Sequence, residues 1–177
     1  MANILSITTI KHPVLRQRAR ELTVDELLAP QSQRFIDDMI ATMRDADGAG
    51  LAANQVYRPV RICVVEVRAD NPRYPEKLPI PLTVLVNPVL TPIGAEKVVS
   101  YEGCLSVPDL RGQVARFERI SVEYLDRTGG RHNITVDGIK AVTYQHECDH
   151  LDGKLFVDSV VDPTTLTTWK NFSRHHR

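Results

Sequence analysis

Two histidines stand four positions apart in Gln145-His146-Glu147-Cys148-Asp149-His150-Leu151, and a glutamate follows the first directly. On a helix, His146 and His150 lie one turn apart on one face. Two imidazoles can then converge on one metal ion while Glu147 stands beside it as a general base. That is the equipment of a metal-dependent hydrolase. The bland alternative is a solvated helix face that happens to carry two histidines and an acid.

Two imidazoles leave such a site incomplete, because a catalytic ion of the zinc type takes three protein ligands and keeps one position for water. One common protease pattern draws a glutamate from downstream, but no Glu follows Glu147. The other needs a third histidine six positions after His150; Gly153 suits that pattern, but the last place is Phe156. Asp158 or Asp162 keeps a route to a peptidase open. A better third ligand is Cys104, in Tyr101-Glu102-Gly103-Cys104-Leu105-Ser106-Val107-Pro108, where Gly103 frees the backbone just before a thiolate suited to divalent iron or zinc. Cys63 lies in an apolar run and reads as core. Cys148 falls on roughly the opposite helix face from the two histidines, so packing is its role as well. His12, His132, His175 and His176 have no partner pattern and read as surface residues.

These side chains need a scaffold. With 177 residues, 42% of them apolar and 25% charged, the chain suits one folded domain over 1–177 rather than a disordered segment. Lys plus Arg equals Asp plus Glu, which argues against a general nucleic-acid or membrane binder. Three cysteines, an odd number, and a start without signal or transit character lead us to expect a reducing, cytoplasmic setting. Residues 1–30 read as an irregular arm. Phe35, Ile36, Met39, Ile40 and Met43 recur at helical spacing and predict a helix from about Gln31 to Asp47, ended by Gly48-Ala49-Gly50. Arg61 to Val67 and Pro81 to Val86 are β-branched strands, with a Pro-rich loop at Asn71-Pro72-Arg73-Tyr74-Pro75 between them. Alternation at Ile120, Val122 and Tyr124, a turn at Arg127-Thr128-Gly129-Gly130, and alternation again from His132 to Val136 predict a hairpin. A second helix runs from about Gly138 to Leu151 and is closed by Gly153; Asp162-Pro163 opens a short last helix holding Leu166 and Trp169. The class is α+β, with mixed or antiparallel sheets around the metal-binding helix.

Three segments taken together, Gly48-Ala49-Gly50-Leu51-Ala52-Ala53-Asn54-Gln55, then Glu102-Gly103-Cys104-Leu105-Ser106, then Gln145 through Leu151, resemble the three signature motifs of the peptide deformylases, in that family's order. The resemblance extends from His12-Pro13-Val14-Leu15-Arg16 through Leu155-Phe156-Val157-Asp158. It departs at Ala49, where the family usually has a branched aliphatic residue, and in a short C-terminal tail without an obvious ribosome-docking helix. It implies the family's α+β fold and Cys104, His146 and His150 as ligands of one ion. Ferrous iron is the family's metal, and zinc, nickel or cobalt suit the same donors. Metal-bound water would then attack the formyl carbonyl on a peptide's N-terminal Met, with Glu147 as general acid/base and the Gln55 amide and Leu105 N–H meeting the oxyanion.

The same resemblance places Gly50 against the extended peptide and Arg111 at the mouth of the cleft as substrate-binding positions. Glu102, Gln145 and Asp149, polar neighbours of the ligands, would fix orientation and tune basicity. The implied partners are N-formylmethionyl nascent peptides, with transient ribosome contact left open. Two rivals stand beside this reading: a peptidase with an Asp ligand, and a noncatalytic domain that a metal merely staples.

Overall fold

The computed structural model describes residues 2–71 and 79–175. Eight strands follow in order: β1 (Gly50–Ala52), β2 (Ile62–Val67), β3 (Ile80–Pro92), β4 (Lys97–Cys104), β5 (Val107–Phe117), β6 (Arg119–Leu125), β7 (Arg131–Asp137) and β8 (Thr167–Thr168). The helices are α1 (Val24–Leu28), α2 (Pro30–Asp45), α3 (Gly138–Leu151) and α4 (Trp169–His175). The strands make a five-stranded sheet, β1-β2-β3-β6-β7, and a three-stranded sheet, β4-β5-β8, and every ladder within them is antiparallel.

Because successive residues of a strand face opposite ways, the β2 run ICVVEV can feed two cores at once. Ile62 and Val64 pack toward α2, with Phe35, Ile36, Met39, Ile40 and Met43. Cys63, Val65 and Val67 pack toward α3, with Ala141, Tyr144 and Leu151. The five-stranded sheet is therefore a wall covered on both faces. The α3 helix packs on that sheet on one side and meets β5 of the smaller sheet on the other. Buried residues consequently ring most of its circumference, Val142, Tyr144, Glu147, Cys148, His150 and Leu151 among them. A third cluster, Val14, Leu15, Cys104, Val107, Val114, Leu155 and Phe156, joins the N-terminal arm to the smaller sheet.

Gly153 ends α3 in the left-handed region, at φ +75°, and its N–H bonds the His150 carbonyl at 3.0 Å. An added Cβ there would lie 2.7 Å from the Arg16 carbonyl oxygen, because the arm crosses the helix end and Ala19 N–H donates to Leu151 at 2.8 Å. The arm is thus fastened to the end of the helix that carries both histidines.

Several expectations need correcting. The arm is not wholly irregular: it contains α1, whose N-cap Thr23 and Glu26 form a reciprocal capping box. β3 continues six residues past the expected end at Val86, through a register shift between Val86 and Val89. β4 and β5 were not expected as strands at all. Pro163 opens only a short 3-10 turn, Leu166 falls between elements, and the last helix begins at Trp169. The hairpin and α3 fall where the sequence put them. Residues 72–78, with most of the expected Pro-rich loop, lie outside the described residues, as does His176.

Strand alternation sets the first test. Leu85 of β3 is fully buried and Leu82 of the same strand is 39% exposed. Leu85→Ala should cost about 2–5 kcal/mol in chemical denaturation, and Leu82→Ala about 0.5 kcal/mol or less.

Candidate metal centre

The last residue of β4 and one face of α3 meet where the two sheets converge. Cys104 Sγ and one ring nitrogen each from His146 and His150 all lie within 4.8 Å of one another, and no other such group occurs among the described residues. Cys104 Sγ is 3.1 Å from His150 Nε2. His146 presents Nδ1 to Glu102 Oε2 at 2.8 Å, which leaves its Nε2 for the cluster. The two imidazole centroids are 5.0 Å apart.

Burial alone would push the Cys104 thiol up, but His150 and His146 hold it well below the ordinary thiol value. Cys63 goes the other way, raised by its hydrogen bond with Cys148 and by complete burial. One of the three cysteines is therefore prepared as a thiolate, and the other two pack against each other. The residues fit a divalent ion. A soft thiolate and two imidazoles suit zinc, iron, nickel or cobalt, and buried His150 Nδ1 and Glu147 Oε2 have no hydrogen-bond partner among the described residues.

Around this cluster the structure builds a chain of alternating charge. Arg116 Nε donates to Glu102 Oε1 at 2.7 Å and its Nη2 to Glu102 Oε2 at 3.0 Å, while Nη1 donates to Asp149. Burial would raise the Glu102 pKa, but His146 and Arg116 bring it down to about 2. Asp149 thus reaches the histidines only through Arg116. Gln145 is placed differently from the expectation: its side chain bonds both the N–H and the carbonyl of Phe117, at 3.0 and 2.8 Å, and so ties α3 to β5 without touching a histidine.

Glu147 is 4% exposed, with no ion pair among the described residues, and burial raises its pKa to about 7 against the pull of His146 and His150. It lies against Gly50, where an added Cβ would fall within 2.6 Å of Glu147 Cγ. Gln55 accepts from Ala52 N–H at 2.8 Å, and its Nε2 donates to Ser106 Oγ at 3.0 Å and sits 3.5 Å from Cys104 Sγ. Gly50, Gln55, Leu105, Arg111, His146 and Glu147 all line one cavity of about 130 Å³. Arg111 reaches the cleft but is only 6% exposed, because Trp169 covers it.

Asp158 pairs with Arg16 at the surface and Asp162 caps its own turn, so neither acid of the peptidase alternative is near the cluster. His12 caps the turn that begins at Pro13, and His132 pairs with Asp126. Sequence reasoning missed Arg116, and also Asn54, whose buried amide donates to the His150 carbonyl. Recognising β5 as a strand would have exposed the first, since Arg116 and Arg111 have opposite parity along it and so face opposite ways.

The family model described as "Polypeptide deformylase" matches residues 4–165. The chain belongs to the peptide deformylase family. It is 39% identical over 155 residues to a peptide deformylase of Leptospira biflexa, covering 88% of this chain and 87% of that protein. It is 43% identical over 163 residues to peptide deformylase 1 of Prochlorococcus marinus, covering 92% and 84%. Among solved structures it is similar to the Met-Ala-Ser-bound class I type b peptide deformylase from Acinetobacter baumannii, with TM-score 0.86 and 38% identity over 90% of this chain and 100% of that one. The Synechococcus elongatus peptide deformylase in complex with actinonin gives TM-score 0.79 and 33% identity, covering 91% and 81%. The family assignment makes the chain an enzyme of α+β fold with a potential metal site at Cys104, His146 and His150.

Replacing Arg116 would leave two carboxylates facing one another beside His146. Arg116→Met should cost about 3–5 kcal/mol in denaturant unfolding. A carboxylate whose pKa is lowered in the folded state stabilises above its unfolded value, near 4.3, and that contribution is lost as pH falls toward 2. Stability of the parent protein measured between pH 5 and pH 2 should therefore fall more steeply than that of Arg116→Met.

Proposed function

We propose that this cleft hydrolyses the amide joining a formyl group to the N-terminal Met of newly made polypeptides, releasing formate and a free amine. The observation that carries the proposal is the cluster of Cys104, His146 and His150, the one such group among the described residues, beside Glu147, whose buried Oε2 has no hydrogen-bond partner there. Cys104, His146 and His150 would hold one divalent ion, ferrous by the family's habit. Such an ion supplies Lewis acidity to a carbonyl and brings the pKa of water toward neutrality.

The remaining steps belong to the chain's own groups. Glu147 takes a proton at its carboxylate from the attacking water and returns it to the leaving amine nitrogen. Desolvation raises its affinity for that proton, so it can serve as base and then as acid. Gln55 Nε2 and the Leu105 N–H donate to the developing oxyanion, each worth roughly 3 kcal/mol in sites of this kind. The Gln55 amide is aimed in advance, because Ala52 N–H holds its oxygen and Ser106 Oγ holds one N–H. The contact to the Cys104 sulfur is longer, 3.5 Å, and so the easier one to exchange. Glu102 accepts from His146 Nδ1–H and fixes the ring; Arg116 holds Glu102 in turn, and Asp149 holds Arg116.

The peptide lies between two strand edges. Gly48 to Gly50, at the edge of the larger sheet, and Ser100 to Cys104, at the edge of the smaller, line opposite sides of the cleft. An extended chain between them can add hydrogen bonds to either edge. Ile139, Val142 and Thr143 of α3 form the floor and would take the Met side chain. Formylated starts arise where chains are made, which supports the reading of a cytoplasmic enzyme.

Formate release from formyl-Met-Ala under anaerobic conditions with added ferrous iron is the direct test, and cleavage of the peptide bond instead would sink the reading. Glu147→Ala should keep its metal, by elemental analysis, and lose about 10²–10⁴ in kcat. Cys104→Ala should lose the metal, whereas Cys63→Ala should keep both metal and turnover and lose only packing stability. Gly50→Ala should fold and bind metal but turn over poorly, since its methyl group would displace the Glu147 carboxylate.

A further inference from the structure

Between β1 and β2 the chain makes one 3-10 turn, Ala53–Val56, and its two middle side chains reach different elements. Gln55 donates to Ser106 Oγ and approaches Cys104 Sγ, just past the end of β4. Asn54 Nδ2 donates to the His150 carbonyl of α3. Gln55 lines the cleft, whereas Asn54 is fully buried and does not line it. The last carbonyls of a helix have no partner within it, and those of α3 are met from outside its ladder. Asp152 N–H serves Cys148 and Asp149, Ala19 N–H serves Leu151, and Gly153 N–H serves His150 at 3.0 Å. The His150 carbonyl therefore keeps a partner without Asn54. The other end of the amide, Asn54 Oδ1, is buried with no hydrogen-bond partner among the described residues. A buried acceptor left unpaired lowers stability. This amide is thus a poor device for holding the fold together, since an apolar side chain of the same size would remove the unpaired oxygen and sacrifice only a second bond to a carbonyl already served.

We propose that Asn54 is a positioning residue for the reaction: its bond to His150 fixes the turn that carries Gln55 against the helix that carries both metal-binding histidines. The inference rests on the deformylase reading of the cleft. Two neighbours in sequence then divide the work, Gln55 donating to the oxyanion and Asn54 setting where that donor stands. The need is geometric. A fixed donor serves an oxyanion only over a narrow range of distance, and a displacement of about 1 Å can cost on the order of 10²-fold in rate. Thr8 of the N-terminal arm holds the Gln55 carbonyl at 2.8 Å, but that bond refers the turn to the arm. The Asn54 side chain refers it to a ligand residue itself, so the oxyanion donor and the ion site share one frame.

The experiment measures kcat and KM for formyl-Met-Ala, bound metal and the urea unfolding midpoint in the metal-loaded parent, Asn54→Leu, Asn54→Ala, Gln55→Ala and the double variant Asn54→Leu/Gln55→Ala. Asn54→Leu should keep the parent's metal content, a KM within about twofold and an unfolding midpoint at or above the parent's, and lose about tenfold in kcat. Asn54→Ala should lose as much in kcat but unfold at lower urea, because it leaves a cavity. The double variant should be no slower than Gln55→Ala alone, since a turn without its amide has nothing left to position. Single variants with kcat within about twofold of the parent, a drop that recurs in full in the Gln55→Ala background, or a drop matched by lost metal would overturn the proposal. A lowered midpoint for Asn54→Leu with parental kcat would do the same, leaving Asn54 a purely structural part. No formate from the parent enzyme would instead overturn the deformylase reading itself.

Discussion

A thiolate kept inside a protein must have its charge answered on the spot, and the architecture around Cys104 is arranged to do so. The sulfur is covered by protein, so burial disfavours its charged form, yet His150 and His146 reverse that preference. A cationic or metal-binding imidazole then needs its own counterweight, which Glu102 gives to His146. Glu102 is buried too, so Arg116 answers it, and Asp149 completes the sequence nearer the surface. Each link is stabilised only by the next, and a break leaves an uncompensated charge in a region of low dielectric. The members come from β4, β5 and α3, so the same chain of charges fixes the position of the smaller sheet relative to the helix. Gln145 adds a neutral clamp at Phe117 beside it.

Glu147 stands outside this sequence by design of the packing. It shares the helix with His146 and His150, but its carboxylate has no ion pair among the described residues, and burial raises its affinity for a proton. Keeping it reachable requires a neighbour without a side chain. Gly50 provides that neighbour at the free edge of β1, where the absence of a Cβ leaves room for the carboxylate itself. The cleft thus combines an acid on α3 with no ion pair among the described residues and a thiolate on β4 held by two histidines.

Most of this was legible where one local rule acted alone. α2 shows a one-sided apolar stripe and the 119–137 hairpin shows alternation around a Gly-Gly turn, and both appear as expected. α3 was legible from its chemistry and its closing glycine rather than from an apolar face, since it is enclosed on nearly all sides and has no single stripe. β4 and β5 were illegible because their inward positions carry Glu102, Cys104 and Arg116, polar residues that blur the alternation a half-buried strand should show. The function that made Glu102 and Cys104 conspicuous hid the strand beneath them. The C-terminal elements failed for another reason. Trp169 and Phe172 are ordered by Arg111 and Tyr101, partners roughly sixty to seventy positions away in the chain, a distance no window of local sequence spans.

Two glycines in the signature segments show how the backbone itself takes part. Gly50 and Gly103 lie on opposite sides of the cleft, one on each sheet edge, and neither has the left-handed backbone that usually calls for glycine. What each provides is room: Gly50 for the Glu147 carboxylate, Gly103 for the Arg111 guanidinium. Each vacated Cβ position therefore admits a functional group from a different element, and the two groups have opposite charge. A methyl group at position 50 would act on the Glu147 carboxylate, whereas one at 103 would press the arginine toward Trp169. The spacing of the motifs along the chain is thus a record of close approaches between strands and side chains, and the chemistry of the ligands accounts for only part of it.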